Sequence, residues 1–237
     1  MAIALPFLSA PYLAMHIPDG FLSGPVTVLT WVLALGFMTL AFKQVQRDYQ
    51  EQIVPLMGVC AAFIFAAQMI NFPIPGGTSG HLLGGTLAGI VLGPWAGSLV
   101  MSVVFLVQAF FFQDGGITAL GANLLNMGLI GTLGGYYCYR FIRLLLGPSR
   151  WRSMAIATGV TAWLSVVTAA TMAAVELGFS QTIPLKIALI SLISWHLMIG
   201  LGEALITVLA VQYIWRSRPE LIYSPFGHKR CAPTKNI

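Results

Sequence analysis

The side chains able to do chemistry in this sequence are few, and most gather around one histidine. His81 follows Gly76-Gly77-Thr78-Ser79-Gly80 and precedes an apolar run. Around it, at the ends of neighbouring apolar runs, stand the uncharged polar residues Gln68, Asn71, Thr78, Ser79, Gln108, Asn123 and Asn126. Singly, each reads as a helix cap or an interhelical hydrogen bond, because buried amides in membranes usually find a partner. Together they favour a polar pocket opening outward. The plainest reading of His81 has Thr78 or Ser79 capping the following helix while the imidazole hydrogen-bonds nearby. A second histidine, His196, lies deep in another apolar run with Glu203 on the same helical face, as a structural or partner-coupling pair. Gly77-Thr78-Ser79-Gly80 also fits G-x-S-G, so an intramembrane serine protease with Ser79 as nucleophile and His196 as base is the alternative chemistry. Placement weighs against it, since Ser79 precedes its helix near one surface while His196 lies about 15 Å along its own.

The elements that must position these residues are membrane helices. Hydrophobic residues fill 57% of the 237 positions and charged ones only 8%, with a mean hydropathy of +0.84, which excludes a water-soluble domain. The net charge of +5 does not indicate nucleic acid, because the basic residues fall at the ends of apolar runs and not along one stripe. Cys60, Cys138 and Cys231 are odd in number and show no C-x-x-C spacing, which argues against a disulfide framework or a cysteine metal site. No Gly-Lys dipeptide occurs, so there is no P-loop, and any ATP hydrolysis must belong to another polypeptide. A channel is disfavoured by the lack of a charged ring or pore-lining repeat.

Apolar spans fall at 26–42, 53–70, 81–93, 97–112, 118–139, 154–175 and 187–214, most near the roughly 20 residues needed to cross hydrocarbon. The fold expected is all-α and polytopic, with about seven transmembrane helices, the N-terminus outside and the C-terminus cytoplasmic. This orientation puts Lys43, Arg47, Arg140, Arg143, Arg150, Arg152, Arg216, Arg218, Lys229, Arg230 and Lys235 inside and leaves only Lys186 outside. The third span covers only about 20 Å of a core about 30 Å thick, so it must be short, tilted or buried. Gly85, Gly89 and Gly93 on it, and Gly131 and Gly135 on the fifth, allow close approach of backbones. Short glycine-rich segments are also where membrane carriers build ligand sites. Three regions result: a leader at 1–14, a transmembrane body at 15–214 and a basic cytoplasmic tail at 215–237. The leader lacks Lys or Arg and has a bulky Tyr12 ahead of Ala14, a poor secretory signal. Either a peptidase cuts after Ala14 or translation starts at Met15.

From Met15 onward the chain resembles a known family. Met15-His16-Ile17-Pro18-Asp19-Gly20, Pro73-Ile74-Pro75-Gly76-Gly77-Thr78-Ser79-Gly80-His81, Leu92-Gly93-Pro94-Trp95-Ala96-Gly97, Gln108-Ala109, Asp114-Gly115-Gly116-Ile117-Thr118-Ala119-Leu120-Gly121-Ala122-Asn123 and Asn126-Met127-Gly128 are similar to the CbiM/NikM substrate-specificity component of energy-coupling-factor nickel and cobalt transporters. The resemblance implies a binding subunit in the cytoplasmic membrane of a prokaryote, not an enzyme and without a cofactor. Its cargo would be Ni2+ or Co2+, for metalloenzyme or cobalamin supply, with the loop versions closer to nickel-type members. It implies two ATP-binding subunits, a transmembrane coupling subunit and a small accessory membrane protein as partners, and no nucleic acid. It also maps the metal site onto the free amine of Met15, the backbone nitrogen and imidazole of His16, and the imidazole of His81. Amine, deprotonated amide and Nδ1 close a five- and a six-membered ring, and a distant imidazole completes a four-nitrogen plane that suits Ni(II) and Cu(II) and accommodates Co(II). On this reading His81 opens a helix whose positive end opposes a cation by up to about 1 kcal/mol, and a leader left attached at Met15 would destroy the chelate.

Overall fold

The computed structural model describes residues 16–47, 51, 53–70, 72–74, 78–147 and 151–223. Met15 and Asn71 lie outside them. Helix formation follows the apolar runs closely. Helix α1 covers Gly24–Arg47, α2 Ile53–Gln68, α3 Gly85–Leu92 and α4 Pro94–Phe111. Residues 120–146 then form one continuous helical stretch, α5 (Leu120–Asn123), a π-helical segment (Leu124–Gly134) and α6 (Gly135–Leu146). Helices α7 (Trp151–Phe179) and α8 (Leu185–Ser217) complete the bundle. Helices α1, α4, α7 and α8 are long and apolar enough to cross a membrane by length and composition, and α2 is a shorter apolar helix. Their outward faces carry Val28, Leu29, Val32, Phe63, Phe110, Ile156, Ile190 and Leu205 exposed, the arrangement expected of side chains solvated by lipid.

The third apolar run behaves differently from a span. Its helix, α3, has eight residues, all buried, and reaches only about 12 Å. It is a core helix around which the long ones pack. Glycine makes that possible: a Cβ on Gly85 would lie 2.9 Å from the Gly131 carbonyl carbon, and one on Gly89 would lie 2.7 Å from the Thr132 oxygen. The small-residue pattern is therefore a backbone-to-backbone contact between α3 and the π-helical segment. Gly93, at φ 86, breaks the chain between α3 and α4, a conformation open to glycine at little cost. Pro94 then starts α4 at a position where no amide donor is needed.

Two expectations change here. His81 does not open a helix. Residues Phe72–Ile74 (β1) and Thr78–Gly80 (β2) pair as an antiparallel hairpin, with Pro73 opposite Ser79. Residues 81–84 run on without regular structure, and α3 starts at Gly85 with no side-chain cap. Thr78 and Ser79 therefore belong to a strand and not to a helix N-cap, because Gly84 at φ 74 delays the helix. Helix α8 continues to Ser217, and residues 218–223 turn back onto α3. Tyr223 donates its backbone N–H to the Ile90 carbonyl at 3.1 Å, and Ile222 is buried.

Candidate metal centre

The segment after Met15 is short and irregular, so its position depends on contacts with distant residues. Asn123, at the end of α5, accepts the Ile17 N–H at 2.9 Å and donates to the Ile17 carbonyl at 3.3 Å. The same carbonyl accepts the Gly116 N–H at 2.9 Å. Asp19 accepts from Thr118 twice, from the backbone N–H at 2.7 Å and from Oγ1 at 2.6 Å. The Thr118 hydroxyl, opposed by partial burial and aided by backbone amides of the same turn, holds the Asp19 carboxyl below its usual range. Glycines let the 114–118 loop come this close. Gly115 has φ 93, and a Cβ there would sit 2.9 Å from the His16 Cβ.

These straps place His16 inside the protein, 1% exposed, with its ring centroid 4.7 Å from that of His81, which is equally buried. Phe105 of α4 meets the His16 ring edge-on at 5.3 Å. His81 Nδ1 lies 2.7 Å from the Leu82 carbonyl; a carbonyl only accepts, so Nδ1 carries the hydrogen and Nε2 keeps its lone pair. His16 Nδ1 lies 3.1 Å from Asp114 Oδ1 and donates in the same way. Burial alone would raise the Asp114 carboxyl, but the His16 hydrogen bond and the adjacent imidazoles outweigh it and leave it below its ordinary value. Both Nε2 atoms are buried without a hydrogen-bond partner, as is Asp114 Oδ2. Buried polar atoms are normally satisfied, so three orphans at one point require an explanation.

The spacing of the two rings fits one shared ion, which would take the lone pair of His81 Nε2. Two imidazoles bound to one ion at right angles, with metal–nitrogen bonds of about 2.0–2.1 Å, have centroids about 4.5 Å apart, whereas opposite positions require about 6.4 Å. The observed 4.7 Å matches the first arrangement. Among the described residues no group of three or more His, Cys, Asp or Glu side chains could hold a metal ion. The imidazoles therefore need other donors, such as backbone or terminal nitrogens, to fill a coordination sphere.

Of the polar residues expected to line a pocket, Gln68, Gln108, Asn123 and Asn126 are buried, and Gln68 and Asn123 hold backbone. Gln68 of α2 donates to the Leu83 carbonyl at 2.6 Å and accepts from Gln108 of α4 at 2.9 Å. Asn126 donates to Glu176 of α7 at 2.7 Å and makes no recorded bond to the histidine pair. Glu203 does not bond to His196. Its two carboxylate oxygens accept the N–H groups of Leu83 and Gly84, each at 2.9 Å, while His196 donates to Leu192 within its own helix at 2.6 Å. Sequence reasoning missed Asp114 and the role of Glu203. The available signal was a lone carboxylate in an apolar helix, which must find donors somewhere. Glu203→Ala is expected to orphan two buried amides at about 1–3 kcal/mol each. A lowered melting temperature in detergent, with weakened metal binding, would register it.

Comparison with known proteins gives the family. A relative from Archaeoglobus fulgidus carrying the fused nickel transport name NikMN is 41% identical over 93% of this chain and 70% of its own length. The cobalt transport protein CbiM of Sorangium cellulosum is 30% identical over 88% of this chain and 94% of its own length. A crystal structure of a truncated transition metal transporter matches with a TM-score of 0.78 at 34% identity, covering 85% of this chain and 98% of that one. The family described as the cobalt uptake substrate-specific transmembrane region, CbiM, matches residues 16–221, and the chain belongs to that family.

Proposed function

We propose that the chain is the membrane subunit that captures a Ni2+ or Co2+ ion at the outer face of a prokaryotic cytoplasmic membrane, within an energy-coupling-factor transporter. The observation that carries this reading is the buried His16–His81 pair, 4.7 Å apart, with His81 Nε2 unpartnered and its lone pair left free by the Leu82 carbonyl. The chain is not an enzyme; its relatives and structural neighbours are metal transport proteins. Nickel is favoured over cobalt by the sequence pattern around Pro18-Asp19-Gly20 and His81 and by the nickel name of the more similar relative.

In the proposed coordination the terminal amine of Met15, the deprotonated His16 amide and His16 Nδ1 occupy three corners of a square, and His81 Nε2 the fourth. The Leu82 carbonyl already sets the required His81 tautomer. His16 Nδ1 faces Asp114, so the arriving ion exchanges that hydrogen bond for a metal bond. The ring hydrogen passes to Nε2 and the imidazole stays neutral. Because His81 precedes α3 instead of opening it, the first helical amides do not point at the ion from an adjacent residue.

Release inward would depend on two ATP-binding subunits acting through a transmembrane coupling subunit, with a small accessory membrane protein. About seven crossings, with Met15 outside and Ser217 inside, would require residues 81–84 and the short α3 together to carry the chain across, shielded by the longer helices. The purified protein beginning at Met15 should bind one Ni2+ ion at saturation by equilibrium dialysis with metal analysis. Cysteines introduced at 76–80 should label from outside and at 143–152 from inside. Failure to retain any divalent ion, or labelling of both segments from one side, would contradict the reading.

A further inference from the structure

We propose that Asp114 is the counter-charge of this site and restricts it to doubly charged ions, an inference that rests on the metal-capture reading above. Its carboxylate accepts from His16 Nδ1 at 3.1 Å, with a side chain 12% exposed and one oxygen, Oδ2, buried and unpartnered. Among the described residues no Lys or Arg lies within ion-pairing distance of it; its recorded partner is a histidine. A buried carboxylate without a basic partner is costly, and such groups are retained where a cation completes them.

The charges in the proposed coordination then sum to zero. The ion brings two positive charges, the deprotonated His16 amide one negative charge and Asp114 another, while both imidazoles stay neutral. When the ion takes His16 Nδ1, Asp114 Oδ1 loses its hydrogen-bond donor, and both carboxylate oxygens face the ion's field. A singly charged ion would leave the site negative and a triply charged one would leave it positive. Neither is tolerated well where water cannot screen it.

Removing the charge at constant shape isolates this role. Asp114→Asn keeps an oxygen that can accept from Nδ1, so a purely structural Asp114 predicts wild-type binding. The counter-charge role predicts about a hundredfold weaker Ni2+ binding, the scale of one unit charge at about 5 Å in a partly buried site. Asp114→Glu keeps the charge and should stay within about tenfold of wild type, the range of an adjustment around intact ligands. The probe is Ni2+ alone, measured calorimetrically in detergent on the protein that begins at Met15, with melting of the ion-free proteins as a check on folding. Wild-type affinity in Asp114→Asn would overturn the proposal. So would equal losses in the Asn and Glu variants, which would mark position and not charge as decisive. If the wild-type protein itself binds no Ni2+, the metal-capture reading fails, a result distinguishable from either of these.

Discussion

Replacing His81 with alanine is expected to abolish metal capture, weakening Ni2+ binding by more than about a hundredfold, beyond the 10–100-fold typical of losing a group that only orients a ligand. The reason is geometric. His81 is fully buried, its tautomer is fixed by the Leu82 carbonyl, and the remaining nitrogen has no protein partner. Gln68 of α2 and Glu203 of α8 hold Leu83 and Gly84, which fixes the backbone just after His81. His196→Ala provides the contrast. Its Nδ1 serves the Leu192 carbonyl one turn back, so loss of the ring should leave equilibrium binding within a few fold, the scale of a neutral hydrogen bond of about 1 kcal/mol. Equal losses in the two variants, read by equilibrium dialysis, would place the site deeper in the bundle than His81.

Insertion of one alanine between Met15 and His16 should have an effect of similar size. The proposed plane depends on two fused rings, which need the amine one residue ahead of the imidazole. An inserted residue adds a second amide and shifts the chelate toward a three-residue form. That form holds metal by itself, but His16 is fixed: Asn123 binds both sides of the Ile17 peptide unit, and Gly115 packs on the His16 Cβ. The plane must therefore move off His81, whose place the added amide takes, and the chelate no longer fits the cavity that holds His16. Binding should fall by about a hundredfold, with altered d–d absorption of bound Ni2+ as the chelate changes. Wild-type affinity with an unchanged spectrum would show that the amine is not a ligand.

Much of the architecture was legible because apolar runs in a membrane have few alternatives. The run at 53–70 becomes α2 with only its last two residues lost. The run at 26–42 extends to Arg47, since a helix continues into the interface while its donors are satisfied. The shortness of the third run correctly signalled a buried helix, and its glycines correctly signalled close backbone contact. The π-helical segment at Leu124–Gly134 was not legible. Its hydrogen-bond register depends on packing against α3, and hydrophobic pattern alone cannot encode it. The site divides in the same way. His16 and His81 carry identifiable chemistry in their side chains. Asp114 is joined to His16 across 98 positions and Glu203 to Gly84 across 119. Neither separation leaves a local pattern, and Glu203 was drawn to His196 by helical spacing when stronger donors lay on another element.

The central claim is that a free amine at Met15 is part of the metal site, and intact-mass spectrometry of the purified, metal-loaded protein tests it most directly. The account predicts a chain whose first residue is Met15, unmodified at its amine, carrying one Ni2+ ion. Full occupancy by one ion on a chain that still carries residues 1–14 would contradict it, because Met15 would then be acylated and could close neither ring.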